Sequence, residues 1–375
     1  FFQAEDGIRD PLWSRGLGDV YKRQSMNYET KWANLNKKLR QSAEDNNGLA
    51  SALFDLENHQ RETGFIKDDL KKIKRIVFQD PNNKSYSLRA QINPKRAKRH
   101  DGSGNLALAG EHPNINNGCF LCRENIKWQQ EERQIGFEIN FGISDYIAFM
   151  NPFPLLPNHV VIASTAHRTQ ELRLFQNDEQ NQDLALVLSD LCELADRLPN
   201  HIGFYNGVGA GASIPDHFHF QFFQRAPDLP KFPLEERTFS NIDCDFTTTL
   251  VEDYPLCVFR WMGELGEVVE KATSWITNFV KTSRFERQQL TANFIASRSM
   301  TSKTVTLYFV PRHRFKQFWN GNAGIVGGLE ILGEIVLASN EECNLVRYDI
   351  MNFEFIEQGL SRISAPFTTD KADEL

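Results

Sequence analysis

Between Asn206 and Phe223 the chain reads Asn-Gly-Val-Gly-Ala-Gly-Ala-Ser-Ile-Pro-Asp-His-Phe-His-Phe-Gln-Phe-Phe. On a strand alternate side chains share a face, so His217, His219 and Gln221 are predicted on one side, with Phe218, Phe220 and Phe222 toward the core. Gly207, Gly209 and Gly211, just ahead, allow backbone amides to come close to a phosphate, and Ser213 adds a hydroxyl donor. Neither a glycine loop nor one histidine says much alone. An isolated histidine is more often a satisfied core residue, which is the expectation for His112, His201 and His313. Two histidines and a glutamine alternating behind such a loop point instead to a phosphate-handling site.

A second constellation is Cys119-Phe-Leu-Cys122. Two thiolates three positions apart chelate one tetrahedral zinc if two further ligands arrive, and His167 and His217 are the candidates. A redox pair or two buried free thiols are the other readings. The redox reading calls for the motif at a strand-to-helix junction, whereas here it follows a long polar loop. Bound zinc would lock the strand and fix the orientation of His217 beside His219.

These residues need a scaffold, and hydrophobic periodicity outlines one. Residues 26 to about 60 carry two amphipathic stripes, Trp32, Leu35, Leu39 and then Leu49, Leu53, Leu56, predicting two helices. Strands are predicted at 76–78 and 86–92, then at 137–141, 146–149 and 159–163. The clearest helix has Leu184, Leu188, Leu191, Ala195 and Leu198 on one stripe, with Asp183 as its cap and Pro199-Asn200 ending it. Strands at 202–205 and 217–223 close this unit. A weaker echo follows: strand 256–261, helix 263–281, strands 293–296 and 304–310. The expected architecture is α+β with two related antiparallel-sheet-plus-helix halves. Its boundaries would be N-terminal helices in 25–75, a site-bearing half in 76–240 and a degenerate half in 241–375. Phe1–Gln24 has neither helical nor strand periodicity, resembles translated sequencing-adapter read-through, and is expected to be foreign or disordered. Met26 is then the first plausible start.

With 375 residues, 42 basic against 49 acidic side chains and a net charge of −7, a general phosphate-backbone binder of nucleic acid is disfavoured. The most apolar stretch, Tyr146–Leu156, is broken by Asn151, Pro152 and Pro154, too short to span a bilayer. The basic run Lys95, Arg96, Lys98, Arg99, His100 reads as a solvated loop rather than a phosphate grip. Six cysteines are too sparse for a disulfide framework, so a reducing, cytoplasmic setting is expected.

Asn206 to Gln221 with its His-x-His-x-Gln, the Cys-x-x-Cys at 119–122, and Asn151-Pro-Phe-Pro-Leu-Leu-Pro-Asn-His159 followed by Ala166-His167 resemble the galactose-1-phosphate uridylyltransferase and diadenosine tetraphosphate phosphorylase branch of the histidine-triad superfamily. The run from Asp216 to Gln221 and Lys231-Phe-Pro-Leu-Glu235 is especially similar to GDP-hexose phosphorylases, and the overall similarity is greatest to an uncharacterised domain family of Bacteroidetes-type bacteria. The resemblance covers about residues 75–360, its specific motifs only 118–237, and implies the histidine-triad-like fold. It makes His219 the nucleophile that becomes nucleotidylated, Gln221 a donor to the phosphoryl oxygen, and Asn206 and Ser213 phosphate holders. Cys119, Cys122, His167 and His217 would be zinc ligands.

Ser213 departs from the pattern, standing four residues before His217 where the uridylyltransferase has three. Asn151, Gly209 and Gly211 complete the expected substrate set, and Arg312, Arg314 and Lys316 are expected at the leaving phosphate. The implied activity is transfer from a nucleoside diphosphate sugar or dinucleoside polyphosphate to phosphate or a sugar phosphate. Homodimers are common among the relatives. A hydrolase of the same superfamily and a non-catalytic nucleotide-binding zinc protein are the alternatives. Gln221 cannot titrate, which favours leaving groups that need no proton.

Overall fold

A computed structural model describes residues 27–45, 48–66, 68–98, 115–130, 132–141, 144–229, 231–243, 247–320 and 323–365. The expectations for Phe1–Gln24, His112, Arg99 and His100 lie outside the described residues. Two helices, α1 (Tyr28–Asp45) and α2 (Leu49–Glu62), open the chain and bury the stripes that include Trp32, Leu39, Leu53 and Leu56. The hairpin β1 (Lys74–Gln79) and β2 (Ser87–Ile92) follows, then the short helix α3 (Arg123–Gln129).

The first half consists of β3 (Phe137–Phe141), β4 (Ser144–Met150), β5 (Val160–Ser164), α4 (Leu184–Arg197), β6 (His201–Asn206) and β7 (His219–Gln224). The second repeats that sequence of elements: β8 (Phe239–Asn241), β9 (Thr249–Val251), β10 (Phe259–Gly263), α5 (Leu265–Thr282), β11 (Leu290–Arg298) and β12 (Val305–His313). Each half has the same spatial order, with its fourth strand at the edge. Those two edges, β6 and β11, pair antiparallel, fusing the halves into one ten-stranded sheet, β3-β4-β5-β7-β6-β11-β12-β10-β9-β8.

Helix α4 forms because its leucines fall on one face and its start is capped: Asp183 accepts from the Leu186 amide at 3.2 Å. It packs beside α5 over one face of the sheet, where Phe218, Phe220 and Phe222 are buried among Leu188, Leu191, Ile276 and Phe309. The opposite face holds Phe204, Phe223, Ile295 and Tyr308 under the C-terminal elements. Those elements, which no periodicity had outlined, are β13 (Phe318–Asn320), β14 (Ala323–Ile325), α6 (Gly328–Ile331), β15 (Glu334–Leu337), α7 (Asn340–Arg347) and α8 (Phe353–Ile363). β15 runs parallel beside β2 in a separate three-stranded sheet, so the chain's end covers its beginning.

One predicted strand is displaced. The 217–223 strand begins at His219, because Pro215 and Asp216 form a turn and the Phe218 amide bonds the Arg168 carbonyl outside the ladder at 2.6 Å. Among the described residues no helix is long and apolar enough to cross a membrane.

Candidate active site and metal cluster

The turn ahead of β7, the loop after β5 and the start of α3 meet at four side chains. Cys119 Sγ and Cys122 Sγ lie 3.3 and 3.6 Å from His217 Nδ1, and Cys122 Sγ lies 3.4 Å from His167 Nδ1. The two Nδ1 atoms are 3.3 Å apart, and all four ligand atoms fall within 4.8 Å of one another. The edges of a tetrahedron around zinc, with Zn–S near 2.3 Å and Zn–N near 2.0–2.1 Å, are about 3.3–3.8 Å. Both the donor set and its spacing therefore fit a divalent soft-to-borderline ion. Hydrogen bonding to Cys122 holds the Cys119 thiol well below its ordinary value, with further help from His217, while the same contact pushes Cys122 up. A thiolate and a thiol sharing one proton are a half-charged ligand pair that a dication completes.

His219 stands two residues on, at the start of β7, and is only 2% exposed. Its Nδ1 is 2.8 Å from the His217 carbonyl oxygen. A carbonyl only accepts, so Nδ1 carries the proton and Nε2 keeps its lone pair. Burial pushes the imidazole down to about 4, keeping it neutral at pH 7. Gln170, fully buried on the loop after β5, clamps the residue from both sides. Its Oε1 accepts from the His219 amide and its Nε2 donates to the His219 carbonyl, each at 2.8 Å. The sequence held no signal for this role, since a lone glutamine in a loop has no pattern.

Gln221 follows on the same face, and its Oε1 is 3.0 Å from His159 Nε2. The Leu155 amide donates to His159 Nδ1 at 3.2 Å, so the proton of this ring is on Nε2 and Gln221 must accept it. The Gln221 amide is thus turned with its NH2 free; among the described residues no acceptor takes it. His159 belonged to a motif already noticed in the sequence, but its task was not legible there. Asn151 accepts from the Phe153 amide at 2.9 Å and its own amide donates to the His159 carbonyl, shaping the turn that delivers this histidine.

The glycine loop follows β6. Asn206 ends that strand, buried, and its Oδ1 accepts from Asn293 Nδ2 at 2.8 Å. Gly209 and Gly211 have φ of 79° and 94°. A Cβ on them would stand 2.3 Å from the Arg314 carbonyl oxygen and 2.6 Å from that of Val326. The glycines are thus required by the sign of φ and by close contact with the second half's backbone. Ser213 is exposed and lines a cavity of about 980 Å³ together with Cys119, His167 and Arg168; His219 and Gln221 are not in that lining.

The structure does not bring the three second-half cations together. Arg312 is fully buried, Arg314 is ion-paired with Glu171, and Lys316 is exposed on the turn after β12. Two cations of the basic run are engaged within the protein: Lys95 pairs with Asp68 at 3.0 Å, and Arg96 donates to the Phe153 carbonyl. His201 is buried against Asn158, and His313 stacks edge-on with Phe285.

A protein-family profile described as a domain of unknown function, DUF4922, matches residues 56–224. No curated protein matches the chain. Three solved structures share its fold. Yeast Ap4A phosphorylase Apa2 superposes with a TM-score of 0.53 at 15% identity, covering 84% of this chain and 95% of that one. Its complex with AMP gives 0.52 at 15% identity over 84% and 97%, and its complex with Ap4A gives 0.53 at 13% identity over 89% and 98%. The chain therefore shares the α+β fold of these structures, built here from two halves.

Proposed function

We propose that this chain is a nucleotidyltransferase of the phosphorylase type, acting on a dinucleoside polyphosphate or a nucleoside diphosphate sugar through a nucleotidyl-His219 intermediate. The observation that carries the reading is the His219 ring, its Nδ1–H tied to the His217 carbonyl at 2.8 Å and its Nε2 left as the nucleophilic nitrogen. Solved proteins of this fold are a phosphorylase of Ap4A and its complexes with AMP and Ap4A, which supports a nucleotide substrate.

In the first step His219 Nε2 attacks the α-phosphorus in line. The Nε2–P bond forms as the bond from phosphorus to the bridging oxygen breaks, and the leaving phosphate departs with that electron pair. The ring becomes cationic, and the His217 carbonyl, already aligned on Nδ1–H, stabilises that charge. The free NH2 of Gln221 donates to an equatorial oxygen, an interaction that strengthens as charge builds there. In the second step an oxygen of the acceptor phosphate attacks phosphorus, the Nε2–P bond breaks, and the neutral imidazole returns. Neither step demands a proton from Gln221.

Cys119, Cys122, His167 and His217 would hold zinc, which supplies a rigid anchor for His217. Rigidity at 217 is transmitted to its carbonyl and hence to the tautomer of His219.

The test is intact-protein mass spectrometry after mixing the chain with diadenosine tetraphosphate or with GDP- and UDP-sugars, acceptor omitted. A nucleoside monophosphate adduct on His219, absent in His219→Ala and discharged as nucleoside diphosphate when phosphate is added, is expected. The absence of any adduct across that panel would sink the reading.

A further inference from the structure

The register of the sheet places a row of polar side chains across the junction of the two halves. β6 and β7 pair with Phe204 opposite Gln221; carrying that antiparallel register two residues further sets Asn206 opposite His219. Directly opposed residues share a face, so the Asn206 side chain lies on the side of the nucleophile. The next strand places Asn293 opposite Asn206. The strand after it contributes Arg312, diagonal to Asn293, whose own opposite number is Val310. His219, Asn206, Asn293 and Arg312 thus run across β7, β6, β11 and β12.

Their hydrogen bonds have one direction. Arg312 Nη1 donates to Asn293 Oδ1 at 2.8 Å. A guanidinium can only donate, so the Asn293 carbonyl must face it and the Asn293 NH2 must face away. That NH2 meets two acceptors, Asn206 Oδ1 at 2.8 Å and the glycine-loop carbonyl of Ala210 at 2.7 Å. With Oδ1 engaged, Asn206 is left with Nδ2–H as its remaining side-chain donor, on the sheet face that also carries His219. Asn293 and Arg312 are both fully buried, so water does not compete for the pair.

We propose that Arg312 and Asn293 are positioning residues for the transfer site: Arg312 sets the polarity of the Asn293 amide, which turns Asn206 to present an N–H donor to the phosphoryl group and pins the glycine loop at Ala210. This rests on the phosphorylase reading above. It replaces the expectation that Arg312 touches the leaving phosphate itself. It also gives the second half a task in the first half's chemistry, the supply of direction to a donor it does not itself carry.

Asn293→Asp separates direction from bulk. The carboxylate still accepts from Arg312 but turns an acceptor toward Asn206 Oδ1 and the Ala210 carbonyl, forcing the Asn206 amide to reverse. Arg312→Met keeps a long side chain and removes the donor, whereas Arg312→Lys keeps one. The measurements are the single-turnover rate of adduct formation with diadenosine tetraphosphate and the affinity for AMP by calorimetry. Zinc content and unfolding temperature are followed in parallel.

Asn293→Asp and Arg312→Met should slow adduct formation about 100-fold, the usual loss for one misdirected donor. They should also weaken AMP binding, with zinc retained, and Arg312→Lys should recover most of both. Folded Asn293→Asp and Arg312→Met proteins that form adduct at the wild-type rate would overturn the proposal alone. Failure of both variants to fold would assign the pair to stability and likewise overturn it. A wild-type chain that forms no adduct and binds no AMP would remove the phosphorylase reading, and the relay with it.

Discussion

At the scale of single residues the site is a matter of which nitrogen holds a proton. One carbonyl and one amide decide it: by accepting, the His217 carbonyl fixes the proton of His219 on Nδ1, and by donating to Nδ1 of His159 the Leu155 amide leaves that ring's proton on Nε2, which in turn orients Gln221. His159→Leu should therefore lower kcat roughly 10- to 100-fold with little change in KM, less than loss of the Gln221 donor itself; an unchanged kcat in steady-state assays would mean that Gln221 is oriented by something else. The same residue predicts a pH effect on stability. Burial, aided by Arg96, pushes His159 down to about 3. Its unfolded value is near 6.5, so between the two the unfolded chain binds the extra proton. Stability contributed at neutral pH is then lost as the pH falls through 6.5 toward 3, by roughly 1.4 kcal/mol per pH unit at most. Urea titrations should show a steeper decline below pH 6.5 for the wild type than for His159→Leu.

At the scale of elements, the glycine loop is shaped by contact between halves. Gly209 combines a φ of 79° with an approach that leaves a Cβ only 2.3 Å from the Arg314 carbonyl. Gly209→Ala must therefore either strain the loop or push the end of β12 away. A loss of about 1–3 kcal/mol in urea unfolding is expected, accompanied by slower adduct formation because the same loop carries Ala210. Stability equal to wild type would show that the loop has room to rearrange. Helix α4 makes the contrasting case, since its stripe of leucines and its Asp183 cap are sufficient causes in themselves.

Over the whole molecule, the cluster of two cysteines and two histidines joins segments about 45 to 98 residues apart, between Cys119, Cys122, His167 and His217. A bound ion would cross-link α3, the loop after β5 and the approach to β7. Purified protein should carry one zinc per chain by elemental analysis. Stripping it with a chelator, or substituting both cysteines by serine, should lower the unfolding temperature by roughly 5 °C or more and slow adduct formation together. Protein that loses its zinc yet keeps both properties would make the cluster dispensable for positioning His217. The second long-range tie is β15 against β2, which closes the C-terminal elements over the face opposite α4 and α5.

What was legible in the chain itself is local. The alternation from Phe218 to Phe222, the thiol pair three residues apart, the leucine stripe of α4 and the repeat of elements in the second half are patterns within windows of a few to twenty residues. Backbone geometry converts such windows directly into faces and turns. Tertiary structure alone decided where β7 starts, because the amide of Phe218 is taken by Arg168 rather than by a neighbouring strand. It alone joined Gln170 to His219, His159 to Gln221, and Arg312 through Asn293 to Asn206. These partners are 19 to 87 residues apart. Single polar residues at such separations carry no periodicity. Their pairing arises only once buried donors and acceptors must find one another in the packed sheet.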